Sequence, residues 1–120
     1  SLEYLQKPDT LRMNGVRFSS KEFKALTAQQ GLLLKEEVLV LKGEVRSSDP
    51  ALEASTLIVD TAKDQALVLG VFTYRDGPTT LRGNRPDSTL LLTFADGKVR
   101  ANTRVPPEIL NRLRPYADRL

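Results

Sequence analysis

TLIVD at residues 56–60 and ALVLGVFTY at residues 66–74, separated by the polar turn TAKDQ at residues 61–65, decide the fold. Both runs are rich in β-branched and apolar residues, as strands are. Five residues between them permit only an antiparallel return, because a parallel crossover needs about a dozen or more. The second run is apolar at both parities, with Leu67, Leu69 and Val71 on one side and Val68, Phe72 and Tyr74 on the other. That pattern predicts a central strand covered on both faces.

Toward the C-terminus, Asp76-Gly77-Pro78 turns the chain into a short strand at residues 79–82, followed by the loop GNRPD at 83–87. A hairpin follows, with strands at 88–94 and 98–103 joined across Ala95-Asp96-Gly97. In its second strand Val99, Ala101 and Thr103 alternate inward while Lys98, Arg100 and Asn102 point outward, the period expected where one face is buried. Pro106-Pro107-Glu108 opens a last helix to about residue 114, with Ile109, Leu110 and Leu113 as its apolar face and Pro115 as its stop.

Toward the N-terminus, residues 37–46 read as a strand, and Asp49-Pro50 supplies an N-cap and an N1 proline for one helical turn through residue 54. Asn14-Gly15, between Leu11-Arg12-Met13 and Val16-Arg17-Phe18, reads as a two-residue type I′ hairpin. Ser19 with Glu22 forms a capping box, and Phe18 with Phe23 a hydrophobic staple, predicting a helix over residues 20–30 that ends on Gly31. The sum is a single α+β domain over residues 1–120. Its mainly antiparallel sheet of about six strands carries one helix near the N-terminus and one at the C-terminus.

Composition narrows the chemistry more than any motif does. The chain has 120 residues, 40% apolar and 28% charged, which suits one globular core. It has neither cysteine nor histidine, which removes disulfides, thiolate metal sites, thiol nucleophiles and the commonest general base. Residues 1–8 have no basic stretch leading into an apolar run, so they do not read as an intact signal peptide, and no apolar run approaches the ~20 residues that span a bilayer. The expectation is a cytoplasmic protein with no membrane association and no cofactor.

No nucleotide cradle is present: the glycines of Gly77-Pro78-Thr79-Thr80-Leu81-Arg82-Gly83 are one residue too far apart for a P-loop, and Asn84 follows where lysine is needed. Asp60 and Asp64 flank a turn, but Ala62 and Gln65 stand where a calcium loop requires a ligand and a glycine. Turn chemistry explains both aspartates. Glu36 and Glu37, adjacent at a strand entry, point to opposite faces and do not form an acid pair.

The net charge of +3 is unevenly placed, with nine bases against ten acids in residues 1–74 and nine against five in residues 75–120. Arg75, Arg82, Lys98, Arg100 and Arg104 are therefore the candidate anion-binding or nucleic-acid-binding set, and Tyr74 beside them could offer a base a stacking surface, although aromatics on a central strand, Tyr74 and Phe72 alike, are normally core residues. Arginines on solvated strands also serve solubility and protect sheet edges. The residues favour a small non-catalytic binding or adaptor protein acting through protein–protein contacts, including association as a homodimer through a sheet edge. The alternatives are an accessory nucleic-acid-binding protein using the arginine-rich last third, and a histidine-free enzyme using carboxylates.

Overall fold

The computed structural model describes residues 10–20, 22–35 and 37–120, with the side chain of Phe18 also outside the description. The reading of residues 1–8, the Glu36–Glu37 comparison and the Phe18 half of the staple therefore lie outside the described residues. Among the described residues, eight strands form one antiparallel sheet: β1 Thr10–Phe18, β2 Leu26–Leu34, β3 Val38–Ser48, β4 Ala51–Asp60, β5 Gln65–Asp76, β6 Thr79–Gly83, β7 Thr89–Ala95 and β8 Lys98–Asn102. One short helix, α1 Pro107–Leu113, runs on into a 3-10 turn at Arg114–Arg119. The protein is mainly β, which corrects the α+β expectation.

The order across the sheet is β1-β2-β3-β4-β5-β7-β8, with β6 also paired to β5. β6 lies against the second half of β5 (Phe72 opposite Gly83), and β7 against the first half (Leu69 opposite Thr89). β6 and β7 thus act as one strand interrupted at residues 84–88, and the whole sheet is a meander.

The expected N-terminal helix is absent. Residues 26–34 are β2, paired with β1 on one side and β3 on the other. The capping residues do bind backbone amides, but within a turn. The Ser20 hydroxyl accepts from the amides of Glu22 (3.3 Å) and Phe23 (3.2 Å), and that of Ser19 from Ala25 (3.0 Å). A capping box and a serine turn use the same bonds, and the two ladders available to Leu26 and Ala28, both buried, decide between them. Gly31 is no helix cap either: a Cβ there would stand 2.7 Å from Val16 Cγ2, so the residue is small because β1 packs against it.

Asn14-Gly15 does not reverse the chain, because β1 runs straight through it with Asn14 opposite Gln30 and Val16 opposite Ala28. Asp49-Pro50, a cis peptide, lies between β3 and β4 and opens no helical turn, since residues 51–54 are the start of β4. Pro115 ends α1 and sits inside the 3-10 turn that follows.

The sheet is bent along one line. Register irregularities fall between Thr27 and Gln30 in β2, between Lys42 and Val45 in β3, and between Ala54 and Thr56 in β4 where it meets β5. These positions lie side by side across the strands, level with Gly15 in β1 and with the β6–β7 break. Bulges kink a strand and sharpen its twist, so a row of them folds the sheet. Gly43 (φ 86°) and Gly70 (φ 87°) supply the left-handed backbone that two of these bulges require.

Folding over encloses the main core: Phe23, Leu26, Leu41, Val45, Leu52, Leu57, Val68, Phe72, Leu90 and Leu92 all pack in one buried cluster. Phe23, from the β1–β2 connection, meets Phe94 of β7 edge-on at a centroid distance of 5.2 Å. The two ends of the meander therefore approach each other across the inner face. On the outer face, Leu32, Leu34, Val38, Val40, Ile58 and Leu67 form a second apolar cluster, covered by Leu113, Ile109, Leu110 and Tyr116 of the C-terminal segment. β5 is accordingly buried on both sides at Ala66, Leu67 and Val68, as its sequence predicts.

Candidate functional site

The tight turn Asp96-Gly97, with φ of 53° and 73°, has the type I′ conformation that matches strand twist. Such a turn makes its flanking residues, Ala95 and Lys98, a hydrogen-bonded pair. Bonding then alternates along the ladder. Arg100 and Asn102 bond inward to β7, whereas the amide and carbonyl groups of Val99 and Ala101 turn toward the edge that no described strand occupies. The opposite strand agrees, since the Phe94 amide points away from β8 and donates to the Asp64 carbonyl at 2.9 Å.

Side chains on β8 follow the same alternation. Val99 and Ala101 are half-buried against the inner core, while Lys98, Arg100 and Asn102 are exposed. Lys98 and Arg100 also line a shallow depression beside the strand with Thr93, Ala95, Asp96 and Val99. The edge of β8 thus combines backbone groups that face no described strand with two neighbouring cations.

The other expected basic residues are distributed around it. Arg75 is exposed near the end of β5, opposite Thr80, and Arg82 is exposed on β6, opposite Thr73, so the two are diagonal neighbours on the outer face. Arg104 is exposed in the bend after β8, where its amide donates to Asn102 Oδ1 at 2.8 Å. Arg75 and Lys98 meet in a cleft of about 500 Å³ that also contains Asp49, Pro50, Tyr74, Asp76 and Val99. Two bases there face two acids, so the cleft has no net preference for an anion.

Tyr74 is 2% exposed and packs in the inner core, so its ring offers no face to a nucleic-acid base. Burial pushes its hydroxyl above the ordinary tyrosine value, and the carboxylates of Asp76 and Asp49 push it further the same way.

Asp60 is the buried acid among the described residues, 3% exposed. Its Oδ2 accepts from Arg112 Nη1, and its Oδ1 accepts from the Lys63 amide at 3.3 Å, the turn bond expected of it. Arg112 also donates to Gln65 Oε1 at 3.0 Å. This contact ties α1 to the β4–β5 hairpin, and no local cue signals it, because the partners are 52 residues apart. No group of three or more acidic side chains suited to a metal ion occurs among the described residues. No helix among them is long and apolar enough to cross a membrane. Comparison with family models, curated proteins and solved structures finds no match.

Proposed function

We propose that this protein is a non-catalytic binding or adaptor module that engages another protein through an open edge of its sheet. The single observation behind this reading is the edge of β8, where the backbone groups of Val99 and Ala101 face away from β7 with no described strand beyond them. Such an edge pairs readily with an extended segment of another chain, main-chain bonds supplying affinity and alternate side chains supplying selectivity. A homodimer is the version of this contact in which the second strand comes from another copy.

The test is capture of partners from the native host, with and without nuclease, by the wild-type protein and by Ala101→Pro. Proline removes one edge-facing donor at a position where an edge strand tolerates it, and retention of the circular dichroism spectrum verifies the fold. A protein partner that survives nuclease and is lost from Ala101→Pro supports the reading. A partner held equally by both forms overturns it, and loss on nuclease treatment transfers the function to nucleic-acid binding.

A further inference from the structure

We infer that the edge of β8 takes an extended segment in which acidic residues alternate with small apolar ones, an inference that rests on the edge-binding reading above. An added strand continues the alternation of β8, so its side chains fall into two rows. One row lies beside Lys98 and Arg100 on the outer face, and the other beside Val99 and Ala101 on the inner side. Lys98 and Arg100 are two residues apart, which matches the spacing of same-face residues on the incoming strand. Carboxylates at alternate positions therefore meet both cations at once, and arginine binds a carboxylate with two parallel bonds.

The nearby acids lie off the strand, Asp96 in the turn and Asp49 and Asp76 across the cleft from Lys98, so the outer row of β8 itself carries only the two cations, with Arg100 outside that cleft. The inner row is different: Val99 and Ala101 are half-buried, and a small apolar side chain beside them extends the inner core.

The same charges disfavour a second copy as occupant. Two β8 edges paired together oppose Lys98 and Arg100 to their own equivalents. Pairing with β1 sets them beside Arg12, which lies on the outer side because it stands opposite Leu32. Like charges directly opposite are destabilising in a sheet. Charge complementarity thus selects an acidic partner strand.

Fluorescence anisotropy with a labelled eight-residue peptide alternating glutamate with valine tests this directly. Three comparisons accompany it: the same peptide N-methylated at alternate backbone positions, its lysine-for-glutamate counterpart, and a single-stranded oligonucleotide of equal charge. Binding of the glutamate peptide is expected to weaken at least tenfold in Lys98→Glu with Arg100→Glu, and at least tenfold on N-methylation. In Arg114→Glu with Arg119→Glu, which carries the same charge change on the exposed C-terminal 3-10 segment, it is expected to change less than threefold.

No binding of the glutamate peptide, equal binding of the N-methylated form, or tighter binding of the lysine peptide or the oligonucleotide overturns the inference. So does a dimer in sedimentation velocity that Ala101→Pro abolishes, which would assign the edge to a second copy. If the acidic peptide fails while a partner is still captured through Ala101, the chemistry inferred here falls and edge binding stands. If both experiments fail, edge binding falls as well.

Discussion

Replacing Arg112 with methionine keeps most of the side-chain volume but removes the cation that faces Asp60. The Asp60 side chain is 4% exposed and that of Arg112 36%, so one partner is enclosed while the other reaches water. Breaking a fully buried pair by deleting one member costs about 3–5 kcal/mol, because the remaining charge is left unbalanced. Water reaching the Arg112 side reduces this to about 2–3 kcal/mol. A chain of this length unfolds with an entropy of about 0.25 kcal/mol/K, so the melting temperature is expected to fall by about 8–12 °C. Urea denaturation and thermal melts measure the loss.

The double variant Asp60→Asn with Arg112→Met separates this account from simple loss of packing. Asparagine retains an acceptor for the Lys63 amide and carries no charge, so the double variant is expected to be more stable than Arg112→Met alone. A loss under about 1 kcal/mol for Arg112→Met refutes the reasoning, as surface pairs contribute up to about this much. Strict additivity of the two single losses refutes it too, since the residues would then act independently.

Gly43→Ala is expected to cost about 2–3 kcal/mol in urea unfolding, because φ is 86° and the new Cβ falls 2.8 Å from Gln29 Cβ. Gly77→Ala, at φ 58° with open space around its Cβ, is expected to cost only about 1 kcal/mol; equal losses would mean that the close approach of Gln29 to Gly43 adds nothing to the backbone cost. Leu113→Ala empties a fully buried position between α1 and the sheet and is expected to cost about 2–4 kcal/mol; a change below 1 kcal/mol would mean that the C-terminal segment contributes little to the fold. The raised folded-state value of Tyr74 means that the native protein holds a proton the unfolded chain releases first. This contribution is complete below pH about 10 and is lost as pH rises further, so pH-dependent melts of Tyr74→Phe are expected to fall less steeply above pH 10 than those of wild type.

The strands from residue 56 onward were legible because their cues were unambiguous. Apolar runs of strand length stood on both sides of turns such as Asp96-Gly97, and the Pro107 start of α1 was followed by an apolar helical stripe. The errors fell where one local signal serves two structures. Ser19, Ser20 and Glu22 can open a helix or a turn, and the choice was made by β1 and β3, the two strands that pair with residues 26–34. Asn14-Gly15 favours positive φ, which serves a bend within a strand as well as a hairpin, and Gly15 at φ 73° is the former. The parity of Lys98 and Arg100 could be read from alternation alone, and Arg104 fell outside it because β8 ends at Asn102. The place of β8 at the end of the described strand order was not legible, since whether a strand has one neighbour or two depends on the whole topology.

Every ladder in this sheet joins segments that are neighbours along the chain, with β5 and β7 separated only by the short strand that completes the same row. Few residues need to be gathered from afar before a new rung rewards the loss of chain freedom, so closing each loop is inexpensive in entropy. Assembly can therefore advance rung by rung in the direction of synthesis, each hairpin resting on the one before it. Two contacts must wait for the later strands: the closure of Phe94 on Phe23 and the C-terminal clasp between Arg112 and Asp60.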